Sequence, residues 1–383
     1  MYPTQKTPVR GLYFDFNYGL RVKVPKGEYR IRFVDMNDQL CLFDQVCSDN
    51  FVSSRKKYFL NLRLEVFRKD KLLFRHDFNP QGKKVLVSFS TNPVTGDVLA
   101  WIPYVERFQQ EHQCEMWVQT TTHMAELLAP NYPTIHFVKH LPKTKKKIVW
   151  PQGVPKDIYA TYYVGIFPAN NRTHQVQNFR TAPLQQVAAT ILGLGNVGEL
   201  KPHLLPSPNS ERLIKEPYVC IGMNASSLFK HWHHPQGWRR VVGFLRKLGY
   251  RVLCIDQKPP RQRNMTGWQE PDCEDFRGNL PLQERVNLLA HADFFIGLSS
   301  GLSWLAWGTG IPVVMISGFT YPWHEFSTPY RVISYHGCTG CWNDPKAPFK
   351  KCHQKGDSRY QCSKFITPGN VIRTIFPLIL KKK

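Results

Sequence analysis

The sequence predicts an α/β protein in three parts. An N-terminal antiparallel β module covers residues 1–80, one α/β half covers 81–205, and a second α/β half covers 206–383 and includes a metal finger at 338–362. Three observations predict this. Residues 11–78 alternate apolar and polar side chains with period two; beyond residue 82 continuous apolar runs alternate with helical patterns; and Cys338, Cys341, Cys352 and Cys362 lie close together near the end.

In the first part the runs are 13–16, 29–34 and 59–67, broken at Pro25-Lys26-Gly27 and Asn37-Asp38, as in a small barrel or sandwich. Val85 to Phe89 then reads as a strand buried on both faces, followed by Thr95-Gly96-Asp97 and an amphipathic stretch through Phe108. Further strands are expected at 115–120, 162–167, 218–223, 251–256, 293–296 and 312–317, with helices at 238–248, 282–291 and 302–307. Strand and helix in alternation imply parallel sheets, and residues 201–217, with three prolines, separate the halves. Two α/β halves facing a cleft would bind ligands at the carboxyl ends of their strands.

Composition narrows the function. The 383 residues are 42% hydrophobic and 13% aromatic, which excludes a disordered or collagenous chain. Lys plus Arg number 51 against 28 Asp plus Glu, a net +23 that calls for an anionic partner: nucleic acid, a lipid surface, a phosphorylated small molecule or an acidic protein. No apolar run approaches the ~20 residues of a membrane span, and residues 1–10 lack a secretion signal's apolar stretch. The expectation is a cytoplasmic protein with no transmembrane segment. The sequons at Asn171, Asn224 and Asn264 are then accidents, and the six cysteines outside the finger (Cys41, Cys47, Cys114, Cys220, Cys254, Cys273) read as small core side chains.

One apparent motif fails. Gly193-Leu194-Gly195-Asn196-Val197-Gly198 fits the dinucleotide fingerprint, but a helical stripe (Leu184, Val187, Ala188, Ile191, Leu192) precedes it where a strand is required, and Pro202 follows. It reads as a glycine-rich helix end.

Three constellations remain. The spacing Cys-x2-Cys-x10-Cys-x9-Cys suits a tetrahedral thiolate shell, with Gly340 turning amides toward sulfur; spacing alone makes zinc the default and mononuclear iron second. Such a closed site is structural and braces the polar segment 343–360. Second, residues 292–307 read as a strand, a Gly/Ser turn (Leu298, Ser299, Ser300, Gly301, Leu302, Ser303) and an apolar helix, an arrangement that cradles a diphosphate on free amides, or else a tight structural turn. A second polar turn at a strand's end, Asn224 to Trp232, offers Ser226, Ser227 and the cationic Lys230. Third, Asp97 opens a helix in the first half. It could take a proton from an acceptor hydroxyl, or merely complement the helix dipole, which would lower its pKa.

Together these residues resemble the bacterial autotransporter heptosyltransferases, a branch of the ADP-heptose glycosyltransferases. The resemblance spans nearly the whole chain and rests on 96–104, Lys230-His231-Trp232, 295–307 continuing into 312–319, and the four cysteines. It implies a GT-B fold of two Rossmann-like domains and inverting transfer of heptose from ADP-heptose to serine hydroxyls of autotransporter adhesin passengers. It also implies iron (Fe3+) rather than zinc on Cys338, Cys341, Cys352 and Cys362, one per subunit, in a homo-oligomer that is a dodecamer. By residue, Asp97 becomes the general base, with Thr95 and Gly96 beside it at the donor. Lys230, with Ser226 and Ser227, becomes the diphosphate contact, and Leu298 to Ser303 the nucleotide-sugar cradle. Lipopolysaccharide heptosyltransferases are similar but show an aspartate and Thr-Gly where this chain has Ser299-Ser300-Gly301, a departure that favours a protein acceptor.

The rivals are a lipopolysaccharide-type heptosyltransferase, an inactive relative kept as a scaffold, and a nucleic-acid-binding metal-finger protein. The last suits the charge and the aromatics, but these aromatics sit in core-like elements and no recognition helix is visible, so no nucleic-acid partner is expected. The basic run 143–147 reads as a solvated loop or a guide for the acceptor.

Overall fold

The computed structural model describes residues 2–89, 94–139, 153–168, 170–261, 267–347 and 352–380. The basic run 143–147 and the sequon at Asn264 lie outside them. The chain divides into two compact units: residues 1–93, 101–179 and 185–198 form the first, and 94–100, 180–184 and 199–383 the second.

In the first unit, β1 (Gln5–Lys6), β2 (Tyr13–Asn17), β3 (Arg21–Val24), β4 (Tyr29–Asp35), β5 (Leu40–Cys47), β6 (Asn50–Ser53), β7 (Leu62–Arg68) and β8 (Lys71–Asp77) precede β9 (Lys84–Phe89). Helix α1 (Thr95–His112), whose residues through Ala100 count with the second unit, β10 (Glu115–Thr120), α2 (Thr122–Leu128), β11 (Ile135–Lys139), β12 (Ala160–Val164) and α3 (Leu184–Ile191), in the first unit from Gln185, follow. Strands β5-β4-β7-β8 form an antiparallel sheet, as their alternation predicts. The expected boundary at 80/81 does not separate sheets, however. The eight-stranded sheet runs β11-β10-β9-β12-β2-β3-β6 with β1 on β2, so N-terminal strands continue a parallel sheet through β2 beside β12. A buried polar seam fixes that join. Asn17 Nδ2 donates to Asp15 Oδ2 at 2.7 Å and to the Ile158 carbonyl at 2.9 Å, Thr161 Oγ1 donates to Asn17, and Arg21 pairs with Asp15 at 2.6 Å.

The second unit holds one six-stranded parallel sheet: β13 (Tyr218–Ile221), β14 (Arg251–Cys254), β15 (Glu274–Asp275), β16 (Phe295–Leu298), β17 (Val313–Ile316) and β18 (Arg331–Val332). Its helices are α4 (Gly237–Lys247), α5 (Leu282–Ala290), α6 (Gly301–Gly308), α7 (Gln361–Lys364) and α8 (Pro368–Leu380). The order β15-β14-β13-β16-β17-β18 reverses between β13 and β16. At such a switch point the loops leaving the two strands diverge and open a crevice for a ligand.

The 193–198 glycines follow helix α3. Leu194 N donates to the Ala189 carbonyl at 2.9 Å, closing the helix end, and Gly193 takes φ +73° with the Phe59 ring where a Cβ would be. One cysteine departs from the core reading: Cys41 is exposed on β5, an edge strand whose side chains are mostly solvated. Among the described residues no helix is long and apolar enough to cross a membrane.

Candidate active site

Both expected donor turns leave the switch point. After β13, the buried Asp256 at the end of β14 accepts amides from Met223 (2.7 Å) and Asn224 (3.1 Å), and Asn224 Nδ2 donates to the Lys258 and Pro259 carbonyls. Burial raises the Asp256 carboxyl to about 6 against the pull of these amides. The exposed Ser226 and half-buried Ser227 lead into a 3-10 turn, Leu228–Lys230, in which Lys230 N donates to the Ser227 carbonyl at 3.1 Å. Lys230 has no ion-pair partner among the described residues. The buried His231 closes the loop, its Nε2 3.1 Å from the Ala225 amide.

After β16 the turn is tied down from beneath. Leu298 and Ser303 are fully buried, Leu302 packs toward Gly222 at the end of β13, and Ser303 Oγ donates to the Leu298 carbonyl at 2.5 Å. Ser299 Oγ donates to Glu325, which also accepts Thr320 Oγ1 at 2.7 Å and pairs with Arg331 at 3.2 Å. Burial would lift the Glu325 carboxyl, but Arg331, His324 and the two hydroxyls outweigh it and hold it below the usual range. The Ser299 hydroxyl is thus engaged inward. Ser300 Oγ differs: it is buried with no hydrogen-bond partner among the described residues, and a bound polar ligand would satisfy it.

Asp97 was expected in the first half, yet residues 94–100 cluster with the second unit. Glycines explain the placement. A Cβ on Gly301 would lie 3.0 Å from Thr95 Cβ and 3.3 Å from Gly96 N, and one on Gly96 would lie 3.0 Å from the Trp304 ring. Bare Cα atoms let the first turns of α1 and α6 touch. Burial then raises the Asp97 carboxyl to about 6, with the Lys230 charge pulling it back down. The expectation that the helix dipole would lower it is corrected here, because desolvation dominates.

Two of the four expected cysteines meet at ligand distance, and with a histidine rather than with Cys352 and Cys362. Ligand atoms of Cys338, Cys341 and His353 lie within 4.8 Å of one another, and Cys341 Sγ is 3.6 Å from His353 Nδ1. Burial and then the neighbouring Cys338 and Cys352 push the Cys341 thiol up to about 11; burial and then Cys338, Cys341 and Cys352 push Cys362 higher still. Sulfurs that resist ionising beside one another would ionise on a bound cation, so the donor set fits a soft metal. Gly340 takes φ +72° against the Tyr321 ring, as the knuckle requires. Tyr360 N donates to Cys352 Sγ at 3.4 Å.

Sequence reasoning missed several of these residues. His353 stands beside a cysteine but outside the four-cysteine spacing. Arg180, far along the chain, donates to the carbonyls of Cys341, Trp342, Pro345 and Ala347 at 2.7, 2.7, 3.2 and 2.9 Å, lacing the finger together. Asp256, at a strand's carboxyl end, was the one with a readable signal.

Comparison with known proteins bears on the family. The N-terminal domain model of glycosyltransferase TibC matches residues 8–70, and the glycosyltransferase family 9 (heptosyltransferase) model matches 170–351. The chain is 42% identical to the autotransporter heptosyltransferase BAHTCr of Citrobacter rodentium over 96% of its own length and 89% of that protein's. The chain belongs to the autotransporter heptosyltransferases. It is likewise 40% identical to Escherichia coli TibC over 96% of this chain and 90% of that one. The solved structure of TibC, a dodecameric iron-containing heptosyltransferase in complex with ADP-D-beta-D-heptose, superposes with a TM-score of 0.88 over 100% of this chain and 98% of that one, at 40% identity. A relative at 35% identity over 95% of this chain and 85% of its own, BimC of Burkholderia thailandensis, carries the name of an inactive autotransporter heptosyltransferase.

Proposed function

We propose that this protein transfers heptose from ADP-heptose to serine hydroxyls of an autotransporter adhesin passenger in the cytoplasm. In this reading it is a GT-B enzyme of two Rossmann-like domains with an N-terminal β module; residues 81–205 serve the acceptor and 206–383 the donor. Subunits assemble as a dodecamer, and each holds one iron as Fe3+ on Cys338, Cys341, Cys352 and Cys362, with His353 beside Cys338 and Cys341. The metal closes a shell of soft donors and so fixes the finger's fold.

The observation that carries the proposal is a carboxylate of raised pKa at the α1–α6 contact, beside the switch-point turns and within the field of Lys230, which has no ion-pair partner among the described residues. Asp97, the base, accepts the proton of the acceptor hydroxyl as that oxygen attacks the anomeric carbon. A base with a pKa near 6 is ionised at neutral pH and more basic than an ordinary aspartate. As the glycosidic bond to the diphosphate breaks, negative charge grows on the leaving oxygen. Lys230 Nζ, Ser226, Ser227 and the free amides of the turn at Ser300 and Gly301 supply positive charge and donors there, with the Ser300 hydroxyl turned to the donor. Thr95 and Gly96 bound the sugar, and attack opposite the leaving group inverts the anomeric centre.

Co-expression with an autotransporter passenger and intact-mass measurement tests the proposal. A ladder of heptose-sized increments that depends on Asp97 is expected. If the passenger is unmodified while the protein still binds ADP-heptose, the chain belongs with the inactive relatives and the transfer reading falls.

A further inference from the structure

Helices α4 and α8 contain no carboxylate. Their cations are Arg239, Arg240, Arg246 and Lys247 on α4 and Arg373 on α8. Their inward faces are accounted for, since Val241, Val242 and Leu245 of α4 share one core with Val371, Ile375 and Leu378 of α8. Phe244 and Phe376 meet at the seam with ring centroids 6.0 Å apart.

What the pair shows to solvent is mixed. Leu248 (48% exposed), Phe376 (47%) and Leu380 (60%) stand out as apolar side chains, and Arg239, Arg240, Lys247 and Arg373 are exposed around them. A groove of about 470 Å³ runs along α4, lined by Arg239, Arg240, Gly243, Phe244 and Lys247 with no acid among its walls. A Cβ at Gly243 would meet nothing within 4 Å, so no neighbour demands that glycine and its absence of a side chain widens the groove. Two cations are already used: Arg246 pairs with Asp272, and Arg239 donates to Gln269 Oε1 at 2.6 Å. Arg240, Lys247 and Arg373 have no ion-pair partner among the described residues.

We propose that the α4–α8 face docks the protein on an anionic lipid membrane. Cations that flank exposed phenyl and isobutyl groups match both layers of a bilayer surface, phosphates outside and acyl chains just beneath. The charge selects the occupant. A second copy of a chain with net +23 would bring like charge to a face whose helices carry no acid and whose neighbouring carboxylate, Asp272, is already paired with Arg246. None of these side chains belongs to the donor turns, the α1 terminus or the finger, so the docking claim stands or falls apart from the transfer reaction.

Sedimentation of the full-length protein with vesicles of phosphatidylcholine alone, or with phosphatidylglycerol mixed in, tests this. Binding is expected only to the vesicles with phosphatidylglycerol and should weaken with salt. The triple variant Arg239→Glu, Arg240→Glu, Lys247→Glu should lower partitioning at least ~10-fold. The double variant Phe376→Ser, Leu380→Ser should lower it by ~10-fold as well and leave the remainder more salt-sensitive. Far-ultraviolet circular dichroism confirms that both variants fold, since every replaced side chain is exposed. Equal binding to the two vesicle types, or unchanged binding by both variants, overturns the proposal. It is also overturned if the substitutions change subunit assembly but not vesicle binding, or if polyglutamate binds this face and vesicles do not.

Discussion

Two polar regions of the second unit are built on opposite principles. Around Glu325 the hydrogen bonds close within the protein: Ser299, Thr320 and Arg331 converge on one buried carboxylate, and Ser303 turns back on Leu298. Around Cys341 Arg180 ties the backbone carbonyls, but the sulfurs are crowded together: burial first, then one another's proximity, push the Cys341 and Cys362 thiols up. The turn at Ser299 is thus held by the protein's own hydrogen bonds, whereas the buried thiols near Cys341 present soft donors that a cation would satisfy.

Cys338→Ser should break that contrast most severely, giving insoluble or metal-free protein; soluble, fully active, metal-free protein would show that the finger holds itself together. On the other side of the comparison, Glu325→Gln leaves Arg331 buried without its counter-charge. It should cost about 3 kcal/mol in denaturant unfolding, and a donor-binding loss would accompany it as Ser299 is released. Smaller still is Gly301→Ala, whose Cβ would come 3.0 Å from Thr95 Cβ. About 1–3 kcal/mol is expected, with weakened ADP-heptose affinity; a variant that matched the parent in both would show that the α1–α6 contact does not shape the site.

The uneven legibility of the sequence has a similar cause. The parallel strands and helices α4, α5 and α6 of the second unit read directly because each buries a run or stripe of its own residues. The continuation of the parallel sheet into β2 did not, since pairing Phe16 with Ala160 leaves no local mark in either segment. The two-residue strands β15 and β18 are too short to show a period, and α8, though apolar enough for a helix, is interrupted by Pro377 and lies beyond the expected helices. At the site, the Gly/Ser turn, Lys230 and the cysteines were visible as motifs. Glu325 was not, being a lone acid in an aromatic loop whose role exists only once Ser299, Thr320 and Arg331 are folded around it. Asp97 was visible, but not the sign of its pKa shift, because burial is a property of the fold and the helix dipole a property of the position.

That shift gives the most direct test. The folded-state pKa of Asp97 lies above its ordinary value, so the fold favours the protonated form; this contribution is full below pH 3.8 and is lost as pH rises through about 6. Asp97→Asn should therefore be more stable than the parent at neutral pH, by about 3 kcal/mol, while losing ~10²–10⁴-fold in transfer. The decisive measurement is kcat/KM for heptose transfer against pH in the parent and in Asp97→Asn. The parent rate should rise with pH through a limb near 6, and the variant should be slow and lack that limb. A variant that keeps both the rate and the limb would contradict Asp97 as the base.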